Sequence, residues 1–150
     1  MSRGYTLIEV VVVLAVFAVA AAVVAPAVGR TADSVKARTE VAGVATFLRL
    51  AREQAITRQQ PYEVIVDPET RALWLRRVSP ESVGSIQASR HLSALLQIEV
   101  EPAPAAQRVV FLPEGSSSGG HMRIVAPGPR VYVITIDALT GRVTTRRGDS

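Results

Sequence analysis

The sequence predicts an α+β fold in which a long N-terminal helix packs on a head made of antiparallel β-sheet. Three observations lead to this prediction. Residues 10–28 carry no charged and no hydrogen-bonding side chain, residues 33–59 show the apolar spacing of an amphipathic helix, and the chain beyond Pro61 alternates short apolar runs with turn sequences. The chain has 150 residues, which suits one domain.

The apolar segment has the length of a membrane span. As a helix, residues 10–28 would extend about 28 Å, close to the roughly 30 Å hydrocarbon thickness of a bilayer. Two interpretations are open. In the first the segment is a secretory signal, with Arg3 as its charged start and small-residue cleavage sites at residues 20–22 or 25–27. In the second the segment is retained and only residues 1–4 are removed.

Glu9 favours the second interpretation. A charge inside a membrane segment costs about 2.5–3.5 kcal/mol on insertion scales, and an ordinary signal core has no use for one. Cleavage after Gly4 would create an α-amine on Tyr5, about one helical turn from Glu9. In a staggered bundle, Glu9 of one molecule could pair with the Tyr5 amine of the next, which would relieve both buried charges. We therefore predict that Glu9 sets the register of an assembly.

Residues 4–9, Gly-Tyr-Thr-Leu-Ile-Glu, followed by an apolar helix, resemble the type III signal of type IV pilins and type II secretion pseudopilins. In that family a prepilin peptidase cleaves after the glycine and methylates the new amine. The resemblance implies cleavage between Gly4 and Tyr5, N-methylation of Tyr5 and an assembly role for Glu9. It also implies a helix break where the chain leaves the membrane, for which Pro26 is the candidate because proline interrupts the helical bond ladder.

The second half of the helix has one apolar face. Asp33 or Ser34 could cap a fresh helical start, and Gln60-Pro61 ends the element because the residue before proline avoids the helical region. The face consists of Ala37, Val41, Val44, Leu48, Ala51 and Ala55. The predicted divisions are 1–4 (leader), 5–28 (transmembrane and filament-core helix), 29–60 (amphipathic half) and 61–150 (periplasmic β-rich head).

The head is predicted to contain six or seven antiparallel strands. Residues 62–66 and 72–78 form a hairpin around the turn at residues 67–70, whereas residues 79–91 are polar and are predicted to be a loop. The remaining candidate strands are 95–100, 108–112, 121–126, 131–137 and 142–146.

This order of one long helix and then strands resembles the GspH/FimT group of minor pilins, and residues 48–56, 111–120 and 136–143 carry the resemblance. The group implies a pilin-like fold and a structural subunit of the periplasmic pseudopilus of a type II secretion system, which supports export of folded proteins across the outer membrane. It implies a single-pass protein of the bacterial inner membrane with its head in the periplasm. The implied partners are a prepilin peptidase, the major pseudopilin, other minor pseudopilins and an inner-membrane assembly platform.

The alternative within this group is a FimT-like minor type IV pilin that binds DNA through Arg142, Arg146 and Arg147. A few phosphate contacts give weak, salt-sensitive binding. Charges on an exposed edge strand also prevent aggregation between sheets, which is the interpretation we favour. We therefore expect no nucleic-acid partner.

A secreted enzyme behind a signal peptide is the third hypothesis, and no candidate catalytic site supports it. The chain has no cysteine, which excludes a thiolate nucleophile or a thiolate metal site. His91 and His121 lack the spacing of metal ligands, and the serines at 116–118 lack the context of an activated nucleophile. We expect no enzyme activity, no metal ion and no cofactor.

Overall fold

The computed structural model describes residues 6–79, 84–101, 108–128 and 130–148, without the side chains of residues 23–31, 100 and 101. The chain divides into two compact units, Met1–Val35 and Lys36–Ser150. The elements are α1 (Leu7–Arg58), β1 (Tyr62–Asp67), β2 (Ala72–Arg77), β3 (Ile86–His91), β4 (Gln97–Glu101), β5 (Arg108–Phe111), β6 (Gly120–Ala126), β7 (Arg130–Ile136) and β8 (Val143–Gly148).

The first unit is helical from Leu7 onward and exposes apolar side chains. Leu7 is 82% exposed, and the large apolar residues at positions 10–19 are about half exposed or more. Within the part of the chain that the structure describes, no helix is both long and apolar enough to cross a membrane.

Helix α1 is continuous from Leu7 to Arg58, so the fresh start predicted at Asp33 or Ser34 is wrong. One proline removes a single bond from the ladder, and the flanking residues can continue the helix on both sides. The local break predicted at Pro26 involves a side chain that lies outside the described residues, and it stays a prediction.

The second unit is built around the amphipathic half of α1. All six residues of the predicted apolar face are buried, from 3% exposed at Ala37 to 0% at Ala55. The helix ends at Arg58, and Gln59 turns the chain with a φ of 51° while the Gln60 N–H donates to the Ala55 carbonyl at 3.2 Å. The prediction of a helix that packs its apolar face on the head is confirmed.

The described residues of the head form two antiparallel four-stranded sheets. The first has the strand order β3-β2-β1-β5, and the second has the order β4-β6-β7-β8. Alternate side chains of both sheets join the buried face of α1 in one core that includes Val64, Leu75, Phe111 and Ile134. The two sheets therefore cover the amphipathic half of the helix with apolar residues.

The prediction of a loop over residues 79–91 is wrong for residues 86–91, which form β3, and the described residues contain eight strands instead of the predicted six or seven. Strand β3 lies at an edge of the first sheet, and its inward positions carry Ala88 and Arg90 instead of large apolar residues, so no apolar alternation marks it in the sequence. Of its side chains, Arg90 lies on the inner face beside Gly43 of the helix, and its guanidinium is 3.7 Å from the Glu40 carboxylate. A side chain at position 43 would collide with that guanidinium.

Candidate functional site

The first turn of α1 places Glu9 on an apolar surface. The Glu9 N–H donates to the Thr6 carbonyl at 3.1 Å and lies 3.4 Å from the Thr6 hydroxyl, so Thr6 caps the helix. The Glu9 side chain is exposed, and within residues 6–79, 84–101, 108–128 and 130–148 its carboxylate has no ion-pair partner. A carboxylate in the first helical turn interacts favourably with the helix dipole. Gly4 and Tyr5 lie outside the described residues.

The structure brings together the three segments that carry the family resemblance, and Arg52 joins them. The Arg52 Nε–H donates to the Gly115 carbonyl at 3.1 Å and to the Thr140 carbonyl at 3.0 Å. Helix α1, the loop after β5 and the turn between β7 and β8 therefore meet at one guanidinium. We call this contact the Arg52 joint.

Glycines allow the close approach at this joint. Gly115 has a φ of 92° and Gly141 a φ of 60°, both in the left-handed region that disfavours other residues. A β-carbon at position 141 would collide with the Gly115 carbonyl oxygen and with the Arg52 side chain. The glycines therefore provide both the backbone conformation and the space that Arg52 occupies.

The turn between β7 and β8 is also fixed from within. Asp137 Oδ1 accepts hydrogen bonds from the Thr140 N–H and from the Thr140 hydroxyl, both at 2.8 Å. The Thr140 backbone N–H, and to a smaller extent the Thr140 hydroxyl, hold the pKa of Asp137 below its ordinary value of 3.8. The Ser117 hydroxyl donates to the Asp137 carbonyl at 2.9 Å, and the Ser117 N–H donates to the Ala138 carbonyl at 2.8 Å. Asp137 thus shapes a turn, as an aspartate beside a turn is expected to do.

The serines of the loop after β5 are used in its hydrogen bonding. The Ser116 hydroxyl donates to Glu114 Oε1 at 2.8 Å, and the Ser118 hydroxyl accepts the Val110 N–H at 3.1 Å. Among the described residues, no group of three or more histidine, aspartate or glutamate side chains is close enough to hold a metal ion.

The C-terminal arginines lie at the edge of the second sheet. Arg146 pairs with Val133, and Arg147 pairs with Tyr132, so the two guanidinium groups start from opposite faces of β8. Arg142 precedes the strand in the β7–β8 turn, and all three arginines are exposed. The three do not form one strand face, and DNA contact by Arg142, Arg146 and Arg147 stays the alternative hypothesis that we do not favour.

Sequence reasoning missed two features of the head. The three segments of the Arg52 joint were not predicted to be in contact with one another. It also missed Glu63, which is 5% exposed and accepts a bond from Arg76 Nε at 2.6 Å. In the observed register Glu63 lies opposite Arg76. The available signal was the presence of opposite charges on two strands predicted to form one hairpin.

Comparisons with solved structures show a pilin-like fold. The minor pseudopilin EpsH of the type 2 secretion system of Vibrio cholerae matches with a TM-score of 0.60 and 21% identity, over 76% of this chain and 97% of that chain. The type IV minor pilin FimU of Pseudomonas aeruginosa matches with the same TM-score of 0.60 and 15% identity, over 73% of this chain and 87% of that chain. The predicted fold class is confirmed.

Sequence comparisons distinguish between a type II secretion pseudopilin and a type IV minor pilin. Residues 1–25 match the prokaryotic N-terminal methylation motif, which together with the fold defines a pilin-like filament subunit. Residues 40–140 match the family described as type II transport protein GspH, and the chain belongs to that family. The type II secretion system protein H of Xanthomonas campestris pv. campestris is 27% identical over 147 residues, which cover 94% of this chain and 81% of the relative. The prediction of a minor pseudopilin of a type II secretion system is confirmed.

Proposed function

We propose that this chain is a prepilin that is cleaved after Gly4 and methylated on Tyr5. The apolar helix of residues 5–28 is already inserted in the bacterial inner membrane when this cleavage occurs, with the head in the periplasm, and is later withdrawn into a pseudopilus. The chain acts there as a structural subunit that supports export of folded proteins. A prepilin peptidase, the major pseudopilin, the other minor pseudopilins and an inner-membrane assembly platform are its partners.

The observation that carries this proposal is the position of Glu9. It is an exposed carboxylate at the start of a helix whose large apolar side chains are exposed on all sides, from 48% at Val13 to 82% at Leu7. Such a surface requires an apolar environment, because soluble monomers rarely expose contiguous apolar patches of more than a few hundred Å². In that environment an unpaired carboxylate is strongly disfavoured, and the α-amine of a cleaved neighbour would neutralise it.

The head supports a structural rather than a catalytic role. Its buried residues form one apolar core, and the serines and Asp137 that a catalytic hypothesis would use are engaged in the turns around the Arg52 joint. The joint fixes the end of α1 to two loops of the head. Such an attachment suits a structural subunit, because it holds the head to the second half of the helix.

The test of processing is to express the chain with a prepilin peptidase and to determine the mature N-terminus by mass spectrometry. We expect a mature chain that begins with N-methylated Tyr5. A mature chain that begins at Val23 or Val28 would show that the segment is a removed secretory signal, and the proposal would be wrong.

The test of assembly is to compare Glu9→Gln with Glu9→Asp. The amide has nearly the shape of the native side chain but no charge, so we expect normal cleavage and at least about a tenfold loss of incorporation into filaments. Glu9→Asp keeps the charge and is expected to retain partial incorporation. The matched control is Glu53→Gln, which changes an exposed carboxylate on the amphipathic half of α1. Normal incorporation of Glu9→Gln would contradict the register role.

A further inference from the structure

The outward face of the first sheet carries an unusual set of side chains. Alternation along β1, β2 and β5 turns Val64, Leu75 and Val109 into the core and their sequence neighbours outward. Three outward apolar residues, Ile65, Trp74 and Val110, are each only partly buried. Trp74 is the single tryptophan of the chain and pairs across the strands with Ile65.

A buried carboxylate lies beside these apolar residues. The Glu63 side chain is 7% exposed, although its strand position turns it outward. Arg76 on β2 donates to Glu63 Oε2 at 2.6 Å, and Arg108 on β5 approaches Glu63 Oε1 at 3.7 Å. The carboxylate is therefore enclosed between two arginines from the two flanking strands.

The two arginines differ in their exposure and in their distance from the Glu63 carboxylate. Arg76 is 22% exposed and forms the short bond, whereas the Arg108 side chain is 64% exposed and has, among the described residues, only the longer contact. The nearby acid Asp67 belongs to the same face, but its carboxylate accepts bonds from the Glu69 N–H and from Thr70 in its own turn. The group of Glu63, Arg76 and Arg108 keeps one surplus positive charge, and that charge is the exposed guanidinium of Arg108.

If the Glu63–Arg76 pair served only to fix the register of β1 against β2, that role would explain the 2.6 Å contact. It would not explain the other side chains of this face. Register needs Glu63 and Arg76, and it needs neither an exposed Arg108 nor a partly exposed Trp74. Tryptophan and arginine are the residues most enriched in the energetic centres of protein interfaces. An exposed cation beside a pre-ordered ion pair gives such a centre a preference for an acidic partner.

We propose that the outward face of the first sheet binds a neighbouring filament subunit that presents a carboxylate flanked by apolar side chains. The carboxylate pairs with Arg108, and the apolar side chains contact Trp74 and Ile65. This inference rests on the proposed function for the assignment of the partner to the filament. The surplus charge of the face determines the chemistry of the partner.

The test is site-specific photo-crosslinking of the full chain in cells that contain the intact secretion system. A benzophenone amino acid replaces Ile65, which leaves Trp74 and the charged residues in place. We expect an adduct with another filament subunit, and mass spectrometry should locate the cross-link within a few residues of an aspartate or glutamate. Arg108→Glu should lower the adduct yield at least about tenfold, and changing the partner's acid to arginine should restore it.

The matched control is Arg130→Glu, which reverses an arginine of the second sheet and should leave the yield unchanged. Trp74 emission of each purified variant reports whether the first sheet is intact, and Arg108→Gln replaces Arg108→Glu if the reversed charge disturbs Glu63.

An adduct that is insensitive to both Arg108 variants would overturn the inference, as would an adduct on an exported protein or on a segment without an acid. The absence of any adduct from correctly processed, assembled chain would also overturn it. In each of these outcomes normal Tyr5 processing and Glu9-dependent assembly would leave the proposed function standing, so the two failures are distinguishable.

Discussion

Replacing Arg52 with alanine should loosen the contact between α1 and two loops of the head. The Nε–H of Arg52 is shared between the carbonyls of Gly115 and Thr140, at 3.1 and 3.0 Å. A hydrogen bond from a charged group contributes about 1.5–3 kcal/mol, and because one N–H serves both acceptors we count it once. Loss of the stem's packing adds to this, so we expect the free energy of unfolding to fall by about 2–4 kcal/mol.

The assay is denaturant unfolding of the full chain in detergent micelles, followed by Trp74 emission, with hydrogen exchange of residues 112–119 and 137–142 as a local readout. Arg52→Lys should not restore stability, because an ammonium at the end of a longer stem cannot replace a donor at the Nε position. The control is Arg58→Ala, an exposed arginine in the last turn of α1, which should change the unfolding free energy by less than about 0.5 kcal/mol. Equal unfolding midpoints for Arg52→Ala and Arg58→Ala would refute the reasoning.

Three further changes test the head. Gly141→Ala and Gly128→Ala both place a side chain at positive φ, 60° and 81°, but of the two positions only 141 lacks space for a β-carbon. Gly141→Ala should therefore lower the free energy of unfolding by about 1–3 kcal/mol more than Gly128→Ala, as measured by thermal or chemical unfolding. The pKa of Asp137 is lowered in the folded state, so the stability that this carboxylate contributes is complete above pH 3.8 and is lost as the pH falls through the folded-state pKa. Asp137→Asn keeps an acceptor for Thr140 and does not titrate, so it should reduce the loss of stability on acidification. Glu63→Gln removes the carboxylate from two arginines and should cost about 1–3 kcal/mol at neutral pH, and an unchanged unfolding midpoint would contradict the ion-pair geometry.

The sequence predicted those features that depend on neighbours along the chain. The apolar face of α1 follows from the spacing of its residues, and the first hairpin follows from two alternating runs around a turn at Asp67. The same local information failed at β3, because the inward positions of this strand carry Ala88 and Arg90, which leave no apolar alternation in the sequence. It also failed at residues 33–34, because a nearby proline does not oblige a helix to restart.

By itself, the sequence determined that a long helix precedes a β-rich head, which face of the helix is buried, and that an acid stands at the start of an apolar segment. These are patterns of residue type at fixed spacing, and local backbone geometry converts them into structure. The tertiary structure alone decided that the strands divide into two sheets, that Arg52 joins three distant segments, and that Glu63 is buried between arginines of two different strands. Such contacts depend on which strands become neighbours, and that choice is made by the packing of the whole core.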